Sequence, residues 1–135
     1  MRLRVISARN EIQNLNPNEM FAHMAFRANN VDILNLMQRS PRLRMIQVPP
    51  SYRETMSNAS QAFLEIQGVE VIEGDVWGHR KDLEEYFTVG DATIEEIRSL
   101  ADSGTTPDDV ADQIQTKARL GPELIKYIAK NKITA

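Results

Sequence analysis

The sequence predicts an α/β fold: a four-stranded, mainly parallel sheet built from β-α-β crossovers, plus a C-terminal three-helix lobe resembling a helix-turn-helix. Three observations predict it. The first two thirds alternate short apolar runs with segments of helical period, joined by short connections. The last third carries no strand pattern but three capped helical segments. The chain has 135 residues, enough for one core or one core with a small appendage.

The elements follow in order. Leu3-Arg4-Val5-Ile6 reads as a first strand, followed by a weak helical turn with Glu11, Ile12 and Leu15. Asn16-Pro17-Asn18-Glu19 is turn-rich. Met20 to Phe26 is nearly all apolar, the pattern of a strand buried on both faces. Asn30 is the expected N-cap of the next helix, with Ile33, Leu34, Leu36 and Met37 on one side and a stop near Ser40-Pro41. Leu43 to Val48 is the third strand, ended by Pro49-Pro50.

Ser51 with Glu54 fits a capping box. Behind it Tyr52, Met56, Ala59, Phe63 and Ile66 form one apolar stripe, closed by Gly68. Val69 to Ile72 is the fourth strand, and a short helix is expected around Asp82 to Phe87. Right-handed crossovers leave two strand orders open, sequential or 2-1-3-4.

Gly90 marks the boundary, giving an α/β domain over residues 1–88 and a helical lobe over residues 89–135. Thr93 with Glu96 fits a second capping box, and Gly104 ends that helix. Thr106-Pro107-Asp108-Asp109 is a cap, a Pro at the first helical position and acids in the first turn. Gly121-Pro122 opens the last helix, with Leu124, Ile125 and Ile128 inward and Tyr127 at the edge. No long linker separates the two parts, so the tail is expected to dock on the sheet.

Composition narrows the function. There is no Cys, which removes disulfides, thiol nucleophiles and thiolate metal sites. Two His cannot make a three-His zinc site. The formal net charge is −3, which disfavours a general polyanion binder but leaves room for a local basic patch. No apolar run approaches 18 residues and no basic-then-apolar leader is present, so a cytoplasmic protein without membrane contact is expected. There is no phosphate-binding glycine motif, no nucleophile elbow and no zinc-protease motif. No cofactor, metal or catalytic residue is expected, and an enzyme is the less favoured class.

Two constellations remain. The first is the lobe. TIEEIRSLADSGTTPDDVADQI resembles the first two helices of a helix-turn-helix, and LGPELIKYIAK a recognition helix. Residues 91–112 hold seven acids against Arg98, a local charge of −6. Residues 117–132 hold five basic residues against Glu123, a local charge of +4. Lys117, Arg119, Lys126 and Lys130 are the candidate nucleic-acid contacts. Two features depart from the motif. The Gln115–Arg119 connection is long, and the recognition-helix segment LGPELIKYIAK lacks the Arg, Asn or Gln that reads base edges. A structural or protein-binding lobe is the competing reading.

The second constellation is the set of strand ends, where parallel sheets hold ligands. Arg27, Arg53, Asp75, Trp77, His79 and Arg80 are the candidates for binding a small anion or phosphorylated metabolite. Guanidinium groups fork onto oxyanions, Trp77 offers a stacking face, and His79 beside Asp75 suits proton transfer. Each has a plainer role as cap, packing or surface ion pair. His23, inside an apolar strand, reads as a buried, hydrogen-bonded histidine.

The segments HMAFR, IQVPPSYR and EGDVWGHRKD, with the opening RLRVIS, resemble a small domain-of-unknown-function protein family of methanogenic archaea. The resemblance covers about residues 1–87 closely and the tail more loosely. It implies a cytoplasmic archaeal protein and no catalytic residue. The leading expectation is a non-enzymatic regulatory or adaptor protein whose lobe contacts DNA or a protein partner. A strand-end pocket is the alternative, and a homo-oligomer through a sheet edge or helix face is a third class.

Overall fold

The computed structural model describes residues 1–76 and 84–134. Four strands run parallel: β1 (Arg2–Ile6), β2 (Phe21–Met24), β3 (Met45–Val48) and β4 (Glu70–Glu73). They lie in sequential order, and a fifth strand, β5 (Tyr86–Thr88), pairs antiparallel with β1 to give β4-β3-β2-β1-β5. The connections are a 3₁₀ helix over Arg9–Asn14, then α1 (Asn30–Arg39), then α2 (Pro50–Thr55) with α3 (Asn58–Ile66). Strands in sequential order joined by right-handed crossovers place every connection on one side of the sheet. That side holds one core: Ile6, Met24, Ile46 and Val48 from the strands, with Ile12, Ile33, Leu36 and Leu64 from the crossovers.

The opposite face carries the row Leu3, Phe21, Met45 and the neighbouring Ile72, and the crossovers leave it bare. The C-terminal helices α4 (Asp91–Asp102), α5 (Pro107–Gln115) and α6 (Pro122–Asn131) cover it. Tyr127 of α6 meets Phe21 of β2 edge to face, with ring centroids 6.1 Å apart. The lobe therefore docks on the sheet, and both parts share one core.

Several elements differ from the sequence expectation. The sheet has five strands rather than four. Instead of a helix through Phe87, Tyr86 and Phe87 alternate between sheet faces, as a strand requires. Val5 donates to the Glu85 carbonyl at 2.7 Å and Val89 to the Met1 carbonyl at 2.8 Å, so β5 satisfies the β1 edge. Tyr86 also donates to Glu19 and stacks under the Arg2 guanidinium, 4.3 Å from the ring centroid.

The expected long helix with a Ser51 cap is two helices. Met56 and Ser57 are extended, and Ser57 caps α3 by accepting from the Ser60 amide at 3.0 Å. The break shifts the helical phase: Leu64 is fully buried, whereas Ile66 is 81% exposed. Helix α2 starts at Pro50 with no side-chain cap. The cap of α1 is Asn29, one residue earlier than expected, in a reciprocal box with Asp32. Asn30 instead accepts from the Ser57 and Ser60 hydroxyls at 2.6 Å each, tying α1 to α3. Helix α4 starts after Gly90, so Thr93 lies inside its first turn and is not its cap. Gly104 ends that helix at φ +92°, and Thr106 and Gly121 cap α5 and α6 as expected.

The shifted phase of α3 is directly testable. Leu64→Ala should cost about 2–5 kcal/mol, as for any filled core position, and Ile66→Ala less than about 0.5 kcal/mol. Urea unfolding of dilute protein measures both. Equal losses would restore the single stripe.

Candidate functional site

The four candidate cations of the lobe, Lys117, Arg119, Lys126 and Lys130, all reach its surface, and three of them already face carboxylates. Lys117, in the turn after α5, sits 2.6 Å from Glu96 of α4. Lys126 of α6 sits 3.0 Å from Asp108 and 3.5 Å from Glu123. Asp108, with Glu123 beside it, holds the Lys126 ammonium proton above its ordinary range. Lys130 lies 3.8 Å from Glu70 of β4, the edge strand beneath the lobe. Arg119 is exposed and makes no ion pair among the described residues. It stands with Gln115, Thr116 and Lys117 around a shallow hollow ahead of α6.

Helix α6 is the central helix of the lobe. Leu124, Ile125, Tyr127, Ile128 and Ala129 are buried against α4, α5 and the sheet. Tyr127 is thus a core residue and not an edge residue, because the sheet supplies the partner Phe21. What α6 offers to solvent is one stripe of Glu123, Lys126 and Lys130, spaced three and four residues apart. The six residues 116–121 between α5 and α6 keep the connection longer than a tight helix-turn-helix turn.

The strand-end candidates are dispersed in their partners. Arg27, after β2, donates to the Ser51 carbonyl at 3.3 Å and to the Thr55 hydroxyl, and stacks 4.8 Å from the Tyr52 ring centroid. Its guanidinium fastens α2. Arg53 donates to the Val71 carbonyl at 2.8 Å and so covers an outer carbonyl of the edge strand β4. The two arginines are committed to different elements. Trp77, His79 and Arg80 lie outside the described residues.

The buried, hydrogen-bonded histidine expected at position 23 lies at the same end of the sheet, with Gln47 as the partner that the sequence did not indicate. His23 and Gln47 are neighbours in register on β2 and β3, both fully buried on the face under the lobe. His23 Nδ1 donates to Gln47 Oε1 at 2.8 Å, and His23 Nε2 lies 3.6 Å from Asp75 Oδ1. Among the described residues, the histidine beside Asp75 is thus His23. The available signal was parity: His23 and Gln47 each sit one residue before an inward Met24 or Val48, so both must face the other core. Gly74 follows β4, and its amide donates to the Val48 carbonyl at 2.9 Å. A Cβ there would sit 2.5 Å from the Gln47 side-chain nitrogen. No group of three His, Asp or Glu among the described residues has the arrangement of a metal site. None of the described helices is long and apolar enough to cross a membrane.

Two outcomes follow. Gln47 is pinned at its oxygen by His23, so it cannot swing away from a new methyl group. Gly74→Ala should therefore lower stability by about 1–3 kcal/mol in urea unfolding, and an unchanged midpoint would refute the close approach. Burial first, and then the bond to Glu19, raises the Tyr86 phenol above its ordinary 10. The native state holds this proton more tightly than the unfolded chain. The associated stability is complete below pH 10 and fades as the pH climbs through the raised value. Glu19→Gln should bring the Tyr86 part of the tyrosinate absorbance titration, identified by difference from Tyr86→Phe, to lower pH. No movement would contradict the assignment.

Comparison with known proteins locates the chain. No curated protein and no solved structure matches it. Residues 92–130, which are the body of the lobe, match the region described as the C-terminal HTH domain of a protein of unknown function, DUF1699. Residues 2–85 match the N-terminal domain of the same family of unknown function. With both regions present in order, the chain belongs to the DUF1699 family.

Proposed function

We propose that this is a non-enzymatic regulatory protein whose helix-turn-helix-type lobe contacts the backbone of duplex DNA. The contact uses Arg119 and Lys117 in the turn before α6 and Lys126 and Lys130 on its solvent stripe. The α/β part, residues 1–88, carries the lobe of residues 89–135 and holds α6 in place. A cytoplasmic, archaeal setting goes with this reading, as the resemblance of the N-terminal segments implies.

The observation that carries the reading is the solvent stripe of α6. Its two lysines and the neighbouring turn cations lie within the region matched as a helix-turn-helix domain. Lys and Arg at such positions contact phosphates without reading sequence. Neither lysine carries the planar fork with which Arg, Asn or Gln reads a base edge. The resulting contact is one of charge and shape.

The carboxylates give this reading a distinctive signature. Glu96 and Asp108 compete with phosphate for Lys117 and Lys126. Fluorescence anisotropy with a labelled duplex at several salt concentrations should show binding that weakens as salt rises. Arg119→Ala should lower affinity about threefold to tenfold and reduce the salt slope by about one. Glu96→Gln and Asp108→Asn should raise affinity, since each frees a lysine. No binding at about 20 mM salt, or binding indifferent to all three changes, would overturn the proposal.

A further inference from the structure

Arg9, the first residue of the 3₁₀ helix, is held more firmly than a surface arginine needs. Its Nε donates to Asp32 Oδ1 at 2.8 Å, and the buried Asp32 in turn accepts from the Asn29 amide at 2.9 Å. The guanidinium carbon lies over the Phe26 ring, 5.7 Å from its centroid. Two contacts thus fix the group, yet its side chain stays 60% exposed. Its two terminal nitrogens make no hydrogen bond among the described residues. An arginine ordered in advance gives up little further freedom when it binds an anion.

Arg9 lines a cleft of 1020 Å³ between the 3₁₀ helix and α1, at the upper end of the range for ligand sites. Arg39, the last residue of α1, lines the same cleft, exposed and without an ion pair among the described residues. It follows Asp32 by two helical turns, so it shares that side of α1 about 10 Å further along. The other polar lining is carboxamide, with Asn10 and Gln13 on one wall and Asn35 and Gln38 on the other. Residues three apart on a 3₁₀ helix eclipse, so Asn10 and Gln13 form one row. No aromatic ring lines the cleft, and its one carboxylate is Asp32.

We infer that this cleft binds an acidic peptide segment in the polyproline II conformation, with two carboxylates three residues apart. Each guanidinium forks onto one carboxylate. Polyproline II has about three residues per turn and rises about 3.1 Å per residue. Acids three apart therefore fall on one side, about 9 Å from each other, which matches the two arginines. In a β-strand the same two acids would point to opposite faces. The conformation leaves its backbone N–H and C=O groups without internal partners, and a carboxamide both donates and accepts. The four amides of the walls suit that backbone.

The same observations disfavour a single-stranded nucleic acid. Asp32 offsets one arginine, so the lining carries 2 − 1 = +1, little for a chain of phosphates. Bases find no ring on which to stack. The cleft also stands apart from the proposed DNA contact, because it belongs to the crossover layer on the other face of the sheet from the lobe.

Fluorescence anisotropy on the full chain, with a labelled peptide of repeated Glu-Pro-Ala at about 50 mM salt, tests this. Two exposed ion pairs with a few amide bonds give saturable binding near about 100 µM. A Gln-Pro-Ala repeat should bind at least about tenfold more weakly. Arg39→Ala should weaken the acidic peptide about threefold to tenfold. Arg9→Lys, which keeps a cation beside Asp32 but loses the fork, should weaken it as well. Arg119→Ala, in the lobe, should leave it unchanged. No binding at about 1 mM protein, or equal binding of the two peptides, would overturn the inference. So would a loss caused by Arg119→Ala and not by Arg39→Ala. Tighter, Arg39-dependent binding of oligouridine RNA would assign the cleft to nucleic acid instead.

Discussion

Everything in this structure depends on covering one sheet face. Parallel strands in sequential order, joined by right-handed crossovers, receive all their connecting helices on the same side. The other side would expose Leu3, Phe21, Met45 and Ile72 to water. Each such side chain is worth about 1.5–3 kcal/mol when buried. The helices α4, α5 and α6 supply that cover, with α6 inserting Tyr127 against Phe21. The helix-turn-helix region is thus part of the protein's core, and its geometry is tied to the sheet. The same packing limits what the lobe can do. With five positions of α6 turned inward, only the narrow stripe of Glu123, Lys126 and Lys130 is left for a partner.

The four parallel strands and the three C-terminal helices were legible in the sequence, because continuous apolar runs and capped periodic segments are local signals. Strand order was not, since local patterns do not name a pairing partner. Strand β5 was obscured by the acidic run before it: Glu84-Glu85 reads as helix, while the alternation of Tyr86 and Phe87 between faces needs β1 beside it. The break at Met56-Ser57 was hidden by a spacing that continues across it in the sequence but not in space. Ser57 announced itself as a cap only through its bond to the Ser60 amide. At Asn29-Asn30 two identical side chains compete for one role. The loser, Asn30, bridges to Ser57 and Ser60.

The candidate site divides in the same way. Composition alone reveals a basic segment over residues 117–132. It does not reveal that Glu96, Asp108 and Glu70 neutralise three of its lysines, because those carboxylates arrive from α4, α5 and the edge of the sheet. Arg27 and Arg53 have the right chemistry for an anion, yet tertiary contacts assign them to α2 and to the β4 edge. His23 was identified as buried and hydrogen-bonded, while its partner Gln47 depends on strand register. In each case the residue type was visible and the partner was not, since a partner distant in sequence is set by topology.

The central claim is that sheet and lobe are one cooperative unit, which fixes the solvent face of α6. Native-state hydrogen exchange with low denaturant measures this residue by residue. The shared core predicts that the most protected amides of β2, β3 and α6 open together, with a single free energy equal to that of global unfolding. Amides of α4 to α6 exchanging together through a separate opening, while β2 and β3 remain protected, would contradict it.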